Sequence, residues 1–322
     1  MSSVTTRILI ISDTHGTNPI DTQLPPVDLV IHCGDLTQES KLEEYKQAIL
    51  LLKSLSAPLK LVIAGNHDFT LDTPVYAQKL TEANLKPPSQ DEVVKQTYGD
   101  FGEARALLDA QRDSGIIFID EGTHEIALAN GAVLKVFASP YTPSKAGGWG
   151  FNYDPAEQHH WDIGKDIDVA ITHGPPHGIL DRTDEAKRAG CPQILAAIAS
   201  SRPLIHCFGH IHEGWGAKQV VWRDTIESPP SHFTAIDNDA SELIESLATL
   251  RPGKFDSGEE KRRKEEKLEE LGSRGYYEVK AEVQKGEQTL FVNAAIEGGF
   301  KETQRLPWIV ALDLPIFVSA TE

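Results

Sequence analysis

The sequence predicts an α/β protein built on parallel strands. Three observations carry that expectation: short apolar runs recur along the chain, helix-spaced segments separate some of them, and several runs end in a polar cluster beside a glycine. The organising stretch is Leu61-Val-Ile-Ala-Gly-Asn-His-Asp68, four apolar residues followed by a glycine turn, an amide, an imidazole and a carboxylate. Open α/β sheets build their sites from side chains placed in this way, at the carboxyl ends of strands.

The elements follow in order. Residues 7–12 read as the first strand and end in Asp13-Thr-His15-Gly16; residues 28–33 read as the second and end in Gly34-Asp35. Between 40 and 54, Leu42, Tyr45, Ile49 and Leu52 recur at helical spacing, and Ser40 can cap with Glu43. The strand 61–64 comes next. Residues 75–113 read as helical or irregular, broken at Pro87-Pro88. Residues 116–119, 123–128 and 133–138 read as strands, the last two joined by a hairpin at Asn130-Gly131. A Pro- and Gly-rich loop carrying Tyr141, Trp149 and Phe151 leads to strand 168–172, which ends in His173-Gly-Pro-Pro176. A helix at 192–200 precedes strand 204–208, which ends in Gly209-His210-Ile-His212. Further strands are expected at 215–223, 289–293 and 308–312.

The 322 residues, 40% of them hydrophobic, suit a sizeable core. The expectation is a single domain over 1–322, with insertions at 79–113 and 227–274. A net charge of −17 argues against long nucleic acids as partners, which need a basic surface. An acidic protein can still bind a small phosphate ester where metal ions supply the positive charge. Three cysteines without paired spacing give no disulfide framework, and Cys33 and Cys207 read as buried thiols within strands. No apolar run reaches the roughly 18 residues of a membrane span. The opening lacks the pattern of a signal peptide. The chain is therefore expected to be soluble and cytoplasmic, with no membrane partner; protein partners are left open. Residues 259–270 hold six Glu, five Lys or Arg and one apolar residue, Leu268. That run reads as a solvated helix or disordered segment, and removal of roughly 255–272 is expected to leave stability and turnover nearly unchanged. Its Lys261-Arg-Arg-Lys264 is not read as a nucleic-acid site.

Five polar clusters stand at five strand ends: Asp13 with His15, Asp35, Asn66 with His67, His173, and His210 with His212. A lone cluster of this kind is more often a polar loop than a site. Five in alternation with strands, each beside a glycine, are not accounted for in that way. Carboxylate, imidazole and amide oxygen without thiolate suit manganese, iron, zinc or magnesium, and the mixed nitrogen and oxygen set leans toward transition metals. There are more ligands than one tetrahedral ion uses, so two ions sharing a carboxylate fit better. Only Asp13 and Asp35 bring charge, which leaves two divalent ions with net positive charge for an anionic phosphate.

Asp13-x-His15, Gly34-Asp35, Gly65-Asn-His-Asp68, His173-Gly174 and Gly209-His210-x-His212 together resemble the motif set of the calcineurin-like metallophosphoesterases, over about residues 7–215. The resemblance implies a four-layer sandwich of two facing mixed sheets flanked by helices. It implies that Asp13, His15, Asp35 and His212 hold one metal and that Asp35, Asn66, His173 and His210 hold the other. It implies that His67 is the catalytic proton donor to the leaving group, with Asp68 orienting it. Ser139-Pro140, Gly148-Trp-Gly-Phe-Asn152, His173-Gly-Pro-Pro176, His212-Glu-Gly214 and Phe291-Val-Asn-Ala294 resemble a narrower group, the small metallophosphoesterase-domain-containing proteins. That group is associated with phosphodiester hydrolysis and nucleotide binding. The stretches 79–113 and 227–274 depart from it.

Secondary candidates weigh less. His177 and Asp181 fit a loop role better than substrate contact. Tyr141, Trp149 and Phe151 suit a stacked base or the packing of their own loop equally. Glu213 could support a ligand histidine. His32 and His206 read as core histidines, and His159-His160 as exposed. The expected function is a dinuclear phosphodiesterase acting on a nucleotide-type diester by in-line attack of a metal-bridging hydroxide, with manganese first and iron, zinc or magnesium as alternatives. Two other readings use the same fold: a non-catalytic nucleotide-binding or interaction protein, and a phosphomonoesterase with the same metal site.

Overall fold

Strands that are apolar on both faces need cover on both faces, and two stacked sheets with helices outside them supply it. The computed structural model describes residues 3–20, 22–145 and 147–316. In chain order its first elements are β1 (Ser3–Ile11), β2 (Leu29–His32), α1 (Leu42–Ser54), β3 (Leu59–Val62), α2 (Thr73–Glu82), α3 (Glu92–Tyr98), α4 (Glu103–Asp109) and β4 (Ile116–Phe118). Then come β5 (Gly122–Ala127), β6 (Val133–Ser139), β7 (Thr142–Pro143), β8 (Asn152–Tyr153), β9 (Val169–Thr172), α5 (Pro192–Ser201), β10 (Ile205–Phe208) and β11 (Gly216–Trp222). The chain continues through β12 (Ile236–Ser246), α6 (Leu247–Leu250), α7 (Gly258–Arg274), β13 (Tyr277–Lys280), β14 (Gln288–Asn293), α8 (Gly299–Thr303) and β15 (Trp308–Pro315).

One sheet has the order β13-β15-β1-β2-β3-β4 and the other β12-β11-β14-β10-β9-β6-β5. Both are mixed: β1, β2, β3 and β4 run parallel, while β15 is antiparallel to β1; β6, β9, β10 and β14 run parallel, while β5 and β11 are antiparallel to their neighbours. Alternation along the strands sorts the two faces of the second sheet. Val169, Ile171, Ile205, Cys207, Leu290 and Val292 join the core shared with the first sheet. Ala170, Phe208 and Phe291 point the other way and pack with Ile194, Leu195 and Ile198 of α5. The four-layer sandwich expected from the sequence is therefore the observed architecture. No helix among the described residues is long and apolar enough to cross a membrane.

The parallel core strands lie where the apolar runs put them, and the differences are local. Ser40 does not cap α1. The cap is Lys41, whose backbone N–H donates to Glu44 Oε2 at 2.9 Å, while the buried Ser40 hydroxyl accepts from Thr70 N at 2.8 Å and meets Tyr45 Oη at 3.0 Å. Strands β12 and β13 had no signal because both are edge strands whose polar, exposed side chains break the apolar pattern.

The charged run of 259–270 is helical, as α7, but it is not a free helix. Ser257 and Glu260 form a capping box at its start and Gly275 ends it in the left-handed conformation. Leu271, one residue past the expected run, is 2% exposed in the main core, and Leu268 packs against that core. Lys267 pairs with the buried Glu245 of β12, and Lys264 pairs with Asp256 at 2.8 Å. The expectation that this segment can be removed without loss is thus corrected: Leu271, with Leu268 beside it, and the ion pair from Lys267 to the buried Glu245 dock it. Leu271→Ala is expected to destabilise the protein by about 2–4 kcal/mol in denaturant unfolding. Arg262→Ala, on the exposed face, should change little; equal stability of the two variants would show an undocked helix.

His206 makes the core sensitive to acid. It is wholly buried in β10, with Nε2 2.8 Å from Thr172 Oγ1 and Nδ1 without a partner. The Thr172 hydroxyl donates to Gly174 O at 2.7 Å, so it accepts the Nε2 proton of a neutral ring. Burial pushes the His206 pKa down to about 3. Below the ordinary histidine value of about 6.5, the unfolded chain takes up a proton that the folded one refuses. Stability should therefore fall as pH drops from about 6.5 toward 3, by up to about 1.4 kcal/mol per unit from this group. His206→Gln should flatten the pH dependence of unfolding between pH 6.5 and 5 by about one proton, and parallel curves for variant and wild type would refute the assignment.

Candidate metal centre

The five strand-end clusters meet at one edge of the sandwich, on the seam between the sheets. Asp13, His15, Asp35, Asn66 and His67 come from the first sheet, and His173, His210 and His212 from the second. Three groups of possible ligands result: Asp13, His15 and His212; His15, Asp35 and His67; and Asp35, His173 and His210, with candidate atoms in each group within 4.8 Å of one another. Every sequence-predicted ligand of the carboxylate or imidazole type lies in one of them. Asn66 adds an amide oxygen 2.9 Å from His173 Nε2.

The backbone is bent to achieve this. Asp13, His15, Asp35 and His210 all have positive φ, between 49° and 66°. Such conformations cost of order 1–3 kcal/mol each outside glycine and asparagine, and they persist where the surroundings over-determine them. Here Asp13 N donates to Gly34 O at 3.0 Å, His15 N to Asp35 O at 3.1 Å and Gly16 N to Leu36 O at 2.7 Å. The carboxylates serve as anchors as well: Asp35 Oδ1 accepts from His67 N at 2.8 Å, and Asp13 accepts from His210 N at 3.0 and 3.1 Å. Two glycines are needed for this proximity. A Cβ on Gly65 would lie 2.2 Å from Asp35 Oδ1, and one on Gly209 would lie 2.0 Å from Asp13 Oδ2.

Electrostatics follow from burial. Asp13 and Asp35 are 0% and 2% exposed. Burial alone would raise their pKa values, but His212 holds Asp13 well below the usual carboxylate range and His173 holds Asp35 down to about 2. The partners move in the opposite sense: against the depressing effect of burial, the Asp35 charge lifts His173 to about 9 and the Asp13 charge lifts His212 to about 10. Burial, helped by the charge of His173, pushes His210 down to about 4. Two dry carboxylates thus draw protons onto the imidazoles facing them. A cation lodged between those groups would satisfy the same demand, and the hard and borderline donors without thiolate suit divalent ions.

Several imidazoles are oriented by backbone carbonyls that the sequence could not reveal. His15 Nδ1 meets Thr37 O at 3.1 Å, His67 Nδ1 meets Gln38 O at 2.7 Å, and His173 Nδ1 meets Cys33 O at 2.9 Å. In each case Nδ1–H donates and Nε2 is turned toward the cluster, that of His173 onto Asn66 Oδ1 and Asp35 Oδ2. His212 is oriented by a carboxylate instead: its Nδ1 lies 2.7 Å from Glu297 Oε2, and its Nε2 lies 3.2 Å from Asp13 Oδ1. Glu297, in the loop after β14, had no sequence signal. The supporting carboxylate is this residue, not Glu213.

Asp68 sits one step away from its expected place. It does not orient the His67 ring, which takes its direction from Gln38 O. Its buried carboxylate accepts from Gly65 N at 2.9 Å, Leu36 N at 3.1 Å, Thr37 N at 3.0 Å and Thr37 Oγ1 at 2.7 Å, so it ties the loop after β3 to the loop after β2. Burial and the nearby Asp35 charge push it up to about 7.

The secondary candidates also separate. Asp181 accepts from Gly178 N, Gly190 N and Arg188 Nη1, while His177 Nδ1 meets Gly190 O, so this pair shapes its own loop. His159 is not a solitary surface group: its Nε2 lies 2.6 Å from Glu121 Oε1 and its ring stacks on Tyr141. Tyr141 also packs on Phe151. Trp149 alone of the three loop aromatics contacts the cluster, with its ring 4.2 Å from that of His67.

Comparison with known proteins gives a consistent picture. The sequence pattern of the calcineurin-like phosphoesterases matches residues 6–214. A probable rhamnogalacturonate lyase C of Emericella nidulans is 36% identical over 67% of this chain, a match that takes in 18% of that protein. Metallophosphoesterase domain-containing protein 1 of Homo sapiens is 34% identical over 66% of this chain and 62% of its own length, and the Mus musculus protein of the same name gives the same figures. The match thus spans less than two thirds of each of these relatives.

Proposed function

This chain belongs to the calcineurin-like phosphoesterase family, and from that premise we propose that it is a two-metal phosphodiesterase acting on a nucleotide-type diester. The observation that carries the two-metal reading is Asp35. One of its oxygens, Oδ2, lies 3.3 Å from His173 Nε2 and 4.0 Å from His15 Nε2, so a single carboxylate reaches imidazoles of two adjoining groups. Asp13, His15, Asp35 and His212 would hold one divalent ion; Asp35, Asn66, His173 and His210 would hold the other, with manganese the first metal to test. Bound there, the ions would supply Lewis-acid charge to the phosphoryl oxygens and a nucleophile at neutral pH.

The residues of the chain divide the remaining work. Hydrolysis makes a P–O bond from water and breaks the P–O bond to the leaving group, whose oxygen takes the electron pair and needs a proton. His67 is the group to donate it, as an imidazolium: Nδ1–H stays committed to Gln38 O, and the Nε2–H is the proton passed to the leaving oxygen, which leaves the ring neutral. Asp68 fixes the loops beneath His67, and Glu297 fixes the ring of His212. A phosphomonoesterase reading has one observation in its favour. Arg305 lines the same polar cleft as His15 and Glu297, and its Nε has no partner. A panel of mono- and diesters assayed on metal-loaded protein separates the two.

Two measurements test the proposal. Elemental analysis under saturating manganese should give two ions per chain, with Asp35→Asn weakening both, whereas no more than one ion in the wild type would count against the paired site. His67→Asn should keep its metals and slow a nucleotide diester by about 10²–10⁴-fold, with a far smaller effect on a nitrophenyl diester, because a nitrophenolate leaves without a proton. Equal slowing of both substrates with metals retained would remove the proton-donor role.

A further inference from the structure

Beside the metal centre, α2 and α3 build a second feature. Phe69, Tyr76, Leu80 and Val94 form a small apolar cluster distinct from the two larger ones. It borders a cleft of about 500 Å³ whose walls include Phe69, Tyr76, Lys79, Leu80, Tyr98 and Trp149. Trp149 belongs to both places: it lines the cleft, and its ring contacts that of His67. Lys79 Nζ stands 4.5 Å from the centre of the Phe69 ring and 4.8 Å from that of Trp149, a cation between two aromatic faces. Glu39 and Glu82 add acceptors to the lining.

Trp149 packs differently from the other loop aromatics: its contacts are the His67 ring and Lys79. Its loop is held down by the contacts among Tyr141, Phe151 and His159, while Trp149 remains 37% exposed with its ring turned to His67. A large aromatic left open beside a proton donor suits a ligand ring. The part of a substrate nearest His67 is the leaving group, because its oxygen receives the proton. We propose that this cleft binds the flat aromatic portion of the leaving group, stacked against Trp149 and completing the Phe69–Lys79 arrangement. The inference rests on the phosphodiesterase reading for the identity of the occupant. The cleft makes the enzyme selective for esters whose leaving group carries a ring, whether a nucleobase or an aryl group.

Binding can be read without turnover. Equilibrium dialysis of the full chain, with no metal added, against adenosine and separately against 2-naphthol measures the cleft itself. Ala83→Trp fills the cleft from its lining, and Lys79→Ala removes the cation with little risk to folding. At least one ring should bind, and each variant should weaken it by about tenfold, the scale of one lost stacking or cation contact. Adenosine bound in preference to naphthol identifies a nucleobase; naphthol bound as well identifies the ring alone. No binding of either compound, or binding unchanged in both variants, overturns the proposal. Turnover then separates the two levels of inference. If manganese-loaded wild type and Ala83→Trp hydrolyse nitrophenyl and nitronaphthyl methyl phosphates with the same kcat/KM ratio, the cleft proposal fails alone. If no metal supports hydrolysis of either diester, the phosphodiesterase reading fails whatever dialysis shows.

Discussion

Two carboxylates removed from water set the terms for this molecule. Asp13 and Asp35 are buried at the seam of the sandwich, where an unpaired charge would cost several kcal/mol. Their partners are the backbone N–H groups of His67 and His210 and, from the facing sheet, the imidazoles of His173 and His212. The seam therefore cannot close unless both sheets deliver their loops in register. The left-handed backbone at four of the cluster residues and the missing Cβ atoms of Gly65 and Gly209 are the local cost of bringing these groups so close. Asp68 shares the burden by tying the loops after β2 and β3 together at a point that touches no ligand atom.

Much of this was legible in the sequence because burial on both faces writes a strand as an uninterrupted apolar run. The strand-end clusters stood out by recurrence: one such cluster makes an ordinary polar loop, but five of them, each after an apolar run and beside a glycine, do not. What escaped notice were partners that carry no side-chain signature. The carbonyls of Cys33, Thr37 and Gln38 orient three imidazoles, and any residue type at those positions offers the same oxygen. Glu297 escaped because its role depends on where β14 ends relative to β10, a fact of the fold and not of local pattern. The α7 helix was misjudged because its docking rests on Leu271, which lies just outside the charged run that drew attention.

The aromatic loop shows how one composition can serve two purposes. Tyr141 and Phe151 satisfy each other, and His159 with its Glu121 partner completes that packing. Trp149, from the same short segment, is held outward toward His67 instead. Sequence alone left these three residues equivalent. Geometry divides them, and it places the one exposed ring of the three between the metal cluster and a cleft built by helices from a different part of the chain.

The long strand β12 closes one margin of the second sheet and pairs only with β11. Its ladder is interrupted by two register shifts, and Asp239 and Glu242 stand exposed along it. An open margin of this length would ordinarily invite another copy to add its own strand. Here the broken ladder offers a poor template, and the approaching copy would bring the same negative charges to meet those already present. The edge that reads as featureless polar chain is thus set against the strand-to-strand pairing that an open sheet margin invites.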